Sequence, residues 1–135
     1  MAQSEYQAAH RRAAASAICA LGNRIGLYAG ATRVGTVFAD TTWGTAADIT
    51  EAVDPTQPVD PVENPEVPKA IVPGSQVMIS VAANTVDDGT IIDRYGVHNG
   101  STLLRTAPLQ IAMIINDGSQ AFQVNVTPSF KYRGE

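Results

Sequence analysis

The sequence has little charge and a single cysteine, and each shortage excludes a class of protein. Charged residues make up 16% of 135 residues and the net charge is −4, with no Lys or Arg cluster beyond Arg11-Arg12. We therefore expect no nucleic-acid binding, because phosphate contacts need a concentrated basic patch. The lone cysteine, Cys19, excludes an internal disulfide framework and a multi-cysteine zinc site.

Long apolar runs are also missing. No stretch approaches the roughly 20 apolar residues that a membrane-spanning helix needs. Residues 13–21 follow two arginines, but this run is short and mostly alanine, so we expect a helix of the mature protein and not a signal peptide. These features predict no membrane partner and assembly in a cytoplasm.

The length suits one domain over residues 1–135, and a hydrophobic content of 44% is enough for a modest core. Low surface charge is expected where neighbouring subunits cover the surface. It is expected equally in a soluble domain rich in Ala, Thr and Gly, so the composition leaves both interpretations open.

Residues 4–22 are predicted to form an N-terminal helix. Ser4 and Gln7 fit a capping box, and Gly22-Asn23 can end the helix in the αL conformation. A narrow stripe of mostly small side chains would pack within the fold or against another copy. The stripe consists of Ala14, Ala17, Ile18 and Leu21.

Alternating apolar residues over 76–130 predict an antiparallel β meander. Asn99-Gly100 favours a two-residue type I′ turn, because both residues tolerate positive φ, and Asn116-Asp117-Gly118 marks the next turn. Shorter strands are expected at 24–28, 36–38 and 41–43. The fold class is therefore mainly β, an antiparallel sandwich or meander with one helix. The side chains expected on the buried sheet face are Val77, Ile79, Val81, Ile92, Tyr95, Val97, Leu103, Leu104, Leu109, Ile111, Met113, Ile115, Phe122, Val124 and Val126.

Truncating a residue of that face is expected to cost stability through lost burial and a cavity. Leu104→Ala or Val124→Ala is each expected to lower the free energy of unfolding by about 2 to 4 kcal/mol.

Residues 54–68 differ from the rest, with five prolines and four acidic residues. Proline breaks helices and donates no backbone hydrogen bond, so we predict an extended, polyproline-like arm or surface loop. The carboxylates lack the spacing and the glycine of a calcium loop, so solvated acids are expected. Such an arm suits lying across a neighbouring subunit and also suits a plain linker.

No constellation of residues indicates catalysis, a cofactor site or a metal site. His10 and His98 are far apart in sequence, and His98 flanks a turn where we expect it to face solvent. The glycine-bounded turn at 30–35 lacks the Lys-Ser/Thr of a phosphate loop. Trp43, the only tryptophan, is expected to be a buried anchor, with a sugar-stacking platform as the alternative.

The order of these pieces resembles the small accessory virion proteins of tailed bacteriophages, the tail-fibre, tail-associated or head decoration proteins. The resemblance lies in a helix leading into Ile25-Gly26-Leu27-Tyr28, a strand–turn–strand at 89–100, the segment 103–109 and a last strand at 122–128. It omits residues 54–68. It implies a non-enzymatic homo-oligomeric building block of the virion, at the tail, neck or baseplate or on the head shell, with other virion proteins as partners.

A receptor- or glycan-binding module at a fibre tip is the competing hypothesis. Its aromatic candidates are Trp43, Tyr28 and Tyr95. A binding module would expose these rings, whereas a building block would bury them.

Overall fold

The computed structural model describes residues 7–133, which contain one helix and ten strands. Every strand pair is antiparallel, which confirms a mainly β fold with one helix near the N-terminus. No helix within these residues is long and apolar enough to cross a bilayer. The elements are α1 (Ala8–Cys19), β1 (Arg24–Ala29), β2 (Thr32–Arg33), β3 (Ala39–Asp40), β4 (Ala47–Ala52), β5 (Glu66–Pro73), β6 (Val77–Val81), β7 (Ile91–Asn99), β8 (Thr102–Ile114), β9 (Phe122–Val126) and β10 (Ser129–Tyr132).

The elements group into two units built from segments that are distant in sequence. The first unit holds α1, β4, β5 and β10, and the second holds the other seven strands. The chain crosses from one unit to the other near residues 20, 42, 73 and 128. The single-domain interpretation of residues 1–135 stays a prediction.

In the first unit, α1 packs on a three-stranded sheet of order β10-β5-β4. Ala15 and Cys19 lie one helical turn apart and pack against Ala70 and Val72 of β5. The small side chains on both elements allow the helix to approach the sheet closely. The partly buried side chains around this core are Trp43, Ala46, Phe130 and Tyr132.

The helix is shorter than predicted. It begins at Ala8, with Gln7 as an N-cap whose side chain makes no capping bond, and Ser4 of the predicted capping box lies outside the described residues. The helix ends at Cys19, so Leu21 lies beyond it and is exposed, and the buried stripe is centred on Ala15 and Cys19 instead.

Gly22 does not end the helix in the αL conformation, because its φ is not positive. A Cβ at this position would lie 2.3 Å from the backbone oxygen of His98. The glycine is therefore required by a close backbone approach and not by a helix cap.

The second unit contains a five-stranded sheet of order β2-β1-β7-β8, with β3 also paired to β1, and a two-stranded sheet of β6 and β9. The predicted alternation in β6 is confirmed, since Val77, Ile79 and Val81 are buried and the residues between them are exposed. Strand β9, which was predicted to be the last strand of the meander, pairs with β6 and not with β8. The strand order therefore departs from a continuous meander.

The hairpin between β7 and β8 forms with a shifted turn. Asn99 pairs with Thr102, so the two loop residues are Gly100 and Ser101. Only Gly100 has a positive φ, which is the pattern of a type II′ turn and not of the predicted type I′ turn. The β1–β2 hairpin uses the same device at Gly30.

Strand β8 merges two predicted strands into one of 13 residues that runs through Pro108. Its predicted buried face is wrong. Leu104 is 39% exposed and Ile111 is 82% exposed, because β8 ends the sheet and its register shifts twice against β7. A strand with such irregularities does not hold alternate residues toward one core.

The chain between residues 36 and 73 also differs from the prediction. The strand pieces expected at 36–38 and 41–43 are replaced by β3, Ala39–Asp40, which lies between them. The strand β4 was not predicted at all. The last residues of the predicted arm, 66–68, begin β5, where Pro68 pairs with Thr50.

Truncation of Val124 and Leu104 is expected to have different consequences. Val124→Ala removes a fully buried side chain and is expected to lower the free energy of unfolding by about 2 to 4 kcal/mol. Leu104→Ala removes a partly exposed side chain and is expected to cost about 1 kcal/mol or less. Chemical denaturation measures both, and equal shifts of the two variants would contradict this assignment of the core.

Candidate functional site

The outer edge of β8 is the longest strand edge without a partner among the described residues. This strand ends the sheet order and has β7 on its other side. The N–H and C=O groups of such an edge can pair with a strand of another chain. The exposed apolar side chains on this edge and on the adjoining end of β7 are Ile91, Leu103, Leu104, Ile111 and Ile114. The edge therefore combines pairing groups with apolar surface that a partner would cover.

Two irregularities interrupt this edge. The register shift at Val97/His98 leaves Leu104 as an extra residue. A second shift places residues 109–112 opposite Asp93 alone, directly after Pro108, which has no N–H to donate. Bulges and proline restrict indiscriminate edge pairing, so a partner strand would meet the edge over short, defined stretches.

The connection between β4 and β5, residues 53–65, is the second candidate surface. Asn64 is buried and its Oδ1 accepts a hydrogen bond from the Asp54 backbone N–H at 2.8 Å. Its Nδ2 donates to the backbone oxygens of Asp54, Gln57 and Pro58 at 3.0, 3.3 and 3.0 Å. One side chain thus ties three parts of the segment together, and this part of the predicted arm is a compact loop and not an extended chain.

The carboxylates of two aspartates accept further hydrogen bonds within the loop. The Asp54 carboxylate accepts hydrogen bonds from the Thr56 hydroxyl and backbone N–H, which lower the pKa of Asp54. Backbone N–H groups of Glu63 and Val62 likewise lower the pKa of Asp60. A carboxyl group whose pKa is lowered in the folded state stabilises the fold at pH values above its ordinary pKa of 3.8. This contribution is lost as the pH falls through the lowered pKa.

Lys69 anchors the base of this loop. Its side chain is buried, and Nζ donates to Glu51 Oε1 and to the backbone oxygens of Ala52 and Val53 at 2.9, 2.9 and 3.3 Å. All three ammonium donors are therefore used, which a buried charge requires. Partial burial alone would raise the pKa of Glu51, but the hydrogen bonds and charges of Lys69 and Lys131 outweigh this effect and lower it. The loop consequently projects from a firm base, with Val62 84% exposed.

The third candidate surface is a face of the large sheet, where two rings lie over paired glycines. Gly26 of β1 is in register with Gly96 of β7. A Cβ on Gly26 would lie 3.0 Å from the His98 ring, and one on Gly96 would lie 2.5 Å from the Tyr28 ring. The two rings stack at 5.8 Å between centroids. In the neutral imidazole Nδ1 donates its proton to the Arg24 backbone oxygen, so Nε2 accepts the 2.8 Å hydrogen bond from Tyr28 Oη. The bare glycine backbone is what admits both rings.

The prediction that His98 faces solvent is wrong, since its exposure is 1%. Burial lowers the pKa of His98, and the nearby charges of Arg33 and Arg24 lower it further, against the raising effect of a hydrogen bond to the Arg24 backbone oxygen. The imidazole is therefore neutral at neutral pH. The paired glycines were visible in the sequence, but the register that brings them together was not.

The aromatic candidates for glycan binding are not exposed platforms. Tyr28 and Tyr95 are buried, and Trp43 is partly buried against the core of the first unit. His10 is exposed on α1, far along the chain from His98, and Cys19 is buried in the core between α1 and β5.

A shallow groove of about 580 Å³ lies at one end of the β6–β9 pair. Its lining is mostly apolar, with Ser80 and Gln123 as polar groups. Within residues 7–133, no three His, Cys, Asp or Glu side chains gather in a way that could hold a metal ion. The groove lining consists of Val37, Ser80, Val81, Ala82, Ala121, Phe122 and Gln123.

Comparisons with protein-family models, with curated proteins and with solved structures found no significant match to this chain.

Replacement of Asn64 tests the organisation of the loop. Asn64→Ala removes one acceptor and the donors of three carbonyls, and is expected to lower the free energy of unfolding by about 1 to 3 kcal/mol. Hydrogen exchange at the Asp54 N–H should accelerate. The exposed Asn125→Ala is the matched control in chemical denaturation, and equal effects of the two variants would show that the loop does not depend on Asn64.

Replacement of His98 tests its buried neutral state. The pKa of His98 is lowered from 6.5 in the folded state, so His98 stabilises the fold at pH values above 6.5. This stability is lost as the pH falls from about 6.5 through the lowered pKa. The wild type should therefore lose more free energy of unfolding than His98→Gln between about pH 8 and about pH 5. Identical pH slopes in urea denaturation would contradict the assignment.

Proposed function

We propose that the protein is a non-enzymatic structural component of a tailed-phage virion. It assembles with itself and with other virion proteins at the tail, neck or baseplate. A position on the head shell as a decoration protein is the alternative within the same function. The proposal combines the resemblance in the order of the sequence elements with the surfaces that the fold presents.

The observation that carries the proposal is the outer edge of β8. A 13-residue strand with exposed Leu103, Ile111 and Ile114 at or near an open edge suits pairing with another subunit. Apolar surface of this kind contributes to association when a partner covers it. The bulges and Pro108 favour a defined partner over open-ended pairing.

The loop at 53–65 supports the same function. It holds exposed Val59 and Val62 on a base fixed by Asn64 and Lys69. A loop that is ordered before it meets a partner loses little conformational entropy on binding. The burial of Tyr28 and Tyr95 favours a building block over a glycan-binding module, which needs accessible rings.

The solution oligomer and its dependence on β8 test the proposal. Purified protein is expected to form a discrete oligomer in sedimentation velocity. Ile111→Lys with Ile114→Lys should weaken association roughly tenfold or more, because lysine on an edge discourages strand pairing and removes apolar contact.

Met78→Lys is the matched control, because Met78 is a similarly exposed apolar side chain on β6. This variant should leave the oligomer unchanged. A wild-type protein that stays monomeric at all accessible concentrations would contradict the proposed assembly role.

A further inference from the structure

Two arginines flank Tyr28 in one row across three neighbouring strands. Tyr28 of β1 is in register with Arg33 of β2 on one side and with Arg94 of β7 on the other. Adjacent strands lie about 4.8 Å apart, so the two arginine backbones are about 10 Å apart on the same face of the sheet. The side chains of Arg33 and Arg94 are both partly exposed and are long enough to reach one shared group at the surface beside the buried Tyr28 ring.

Neither guanidinium has an ionic partner among the described residues. Arg33 donates one long hydrogen bond to the Val37 backbone oxygen at 3.4 Å, and its buried Nε has no acceptor. Arg94 donates from Nε to Thr106 Oγ1 at 3.2 Å. Four other cations among residues 7–133 form ion pairs with carboxylates: Arg12 with Asp48, Arg24 with Asp40, and Lys69 and Lys131 with Glu51.

Hydrogen-bonded residues of the sheet lie directly beneath the Arg33 guanidinium. The Arg33 guanidinium nitrogens lie 3.4 Å from the position of a Cβ on Gly26, beside the His98 ring. Because His98 is held between Tyr28 and the Arg24 backbone oxygen, the arginines extend from a rigid surface. Arginine guanidiniums bind carboxylates through charge-assisted, often bidentate hydrogen bonds, so two partly buried arginines without an ionic partner favour an acidic ligand.

We infer that this face receives the acidic 53–66 segment of a second copy of the chain. Glu63 and Glu66 are exposed, and no side-chain partner holds their carboxylates among residues 7–133. The Asp54 and Asp60 carboxylates are already engaged in the loop. Glu63 on the loop and Glu66 at the start of β5 therefore offer two carboxylates without an ionic partner, which match two guanidiniums without an ionic partner.

The contact joins different surfaces of the two copies, and it rests on the proposed assembly function. A heterologous contact of this kind repeats from copy to copy and closes into a ring when the rotation between copies permits. It does not use the outer edge of β8, so the chain would present an electrostatic contact and a strand-edge contact to separate neighbours.

Charge reversal tests the inference in sedimentation velocity at about 50 mM salt, where charge contacts are least screened. Glu63→Arg with Glu66→Arg, and separately Arg33→Glu with Arg94→Glu, should each weaken self-association about tenfold or more. An equimolar mixture of the two variants should recover association to within about threefold of the wild type, because each reversed loop then meets a reversed face. The exposed Asp87→Arg is the control and should leave association unchanged.

The loop variant keeps the test valid even where the arginine variant unfolds, because Glu63 and Glu66 are solvent-exposed. Association of the wild type that survives reversal of the loop overturns the inference and leaves the proposed assembly intact. Loss of association in the arginine variant alone also overturns it, since the face would then bind an anion other than this loop. A wild type without any self-association contradicts the assembly function itself.

Discussion

The pairing of β7 on both of its sides is the constraint on which the larger sheet depends. Strand β7 meets β1 over five register pairs and meets β8 along its length. Its pairing with β1 brings Gly26 against Gly96, and only that bare backbone admits Tyr28 and His98 as stacked, hydrogen-bonded rings. The same register sets Arg33 and Arg94 on either side of Tyr28 and leaves β8 at the end of the sheet.

A second constraint organises the three-stranded sheet of β10, β5 and β4 and the loop that joins β4 to β5. The buried ammonium of Lys69 and the amide of Asn64 together supply donors to Glu51 and to five backbone carbonyls around the loop. Burying these groups is favourable only because their hydrogen bonds are made. The loop therefore stands as an ordered projection, although its proline content alone favours an extended chain.

Local patterns predicted the features that depend on neighbouring residues alone. The mainly β class, the helix near the N-terminus, the alternation of β6 and the hairpin at Gly100 are of this kind. Features set by distant contacts were missed. The burial of His98 and the exposure of Ile111 both follow from strand order and register, which one sequence does not reveal. The compact form of the 53–65 loop was not predicted, because it depends on the hydrogen bonds of one buried amide, Asn64, in a segment with four prolines.

The candidate surfaces have in common groups that another chain could satisfy: unpaired backbone groups at a strand edge, exposed apolar side chains, and charges without an ionic partner. The quantity that tests the virion proposal most directly is the copy number of this protein in purified particles, by quantitative mass spectrometry against the major capsid protein. A small number that fits a ring is predicted for a tail, neck or baseplate component, and a number that tracks the capsid protein for a head decoration protein. Absence of the protein from purified particles would contradict the proposed function.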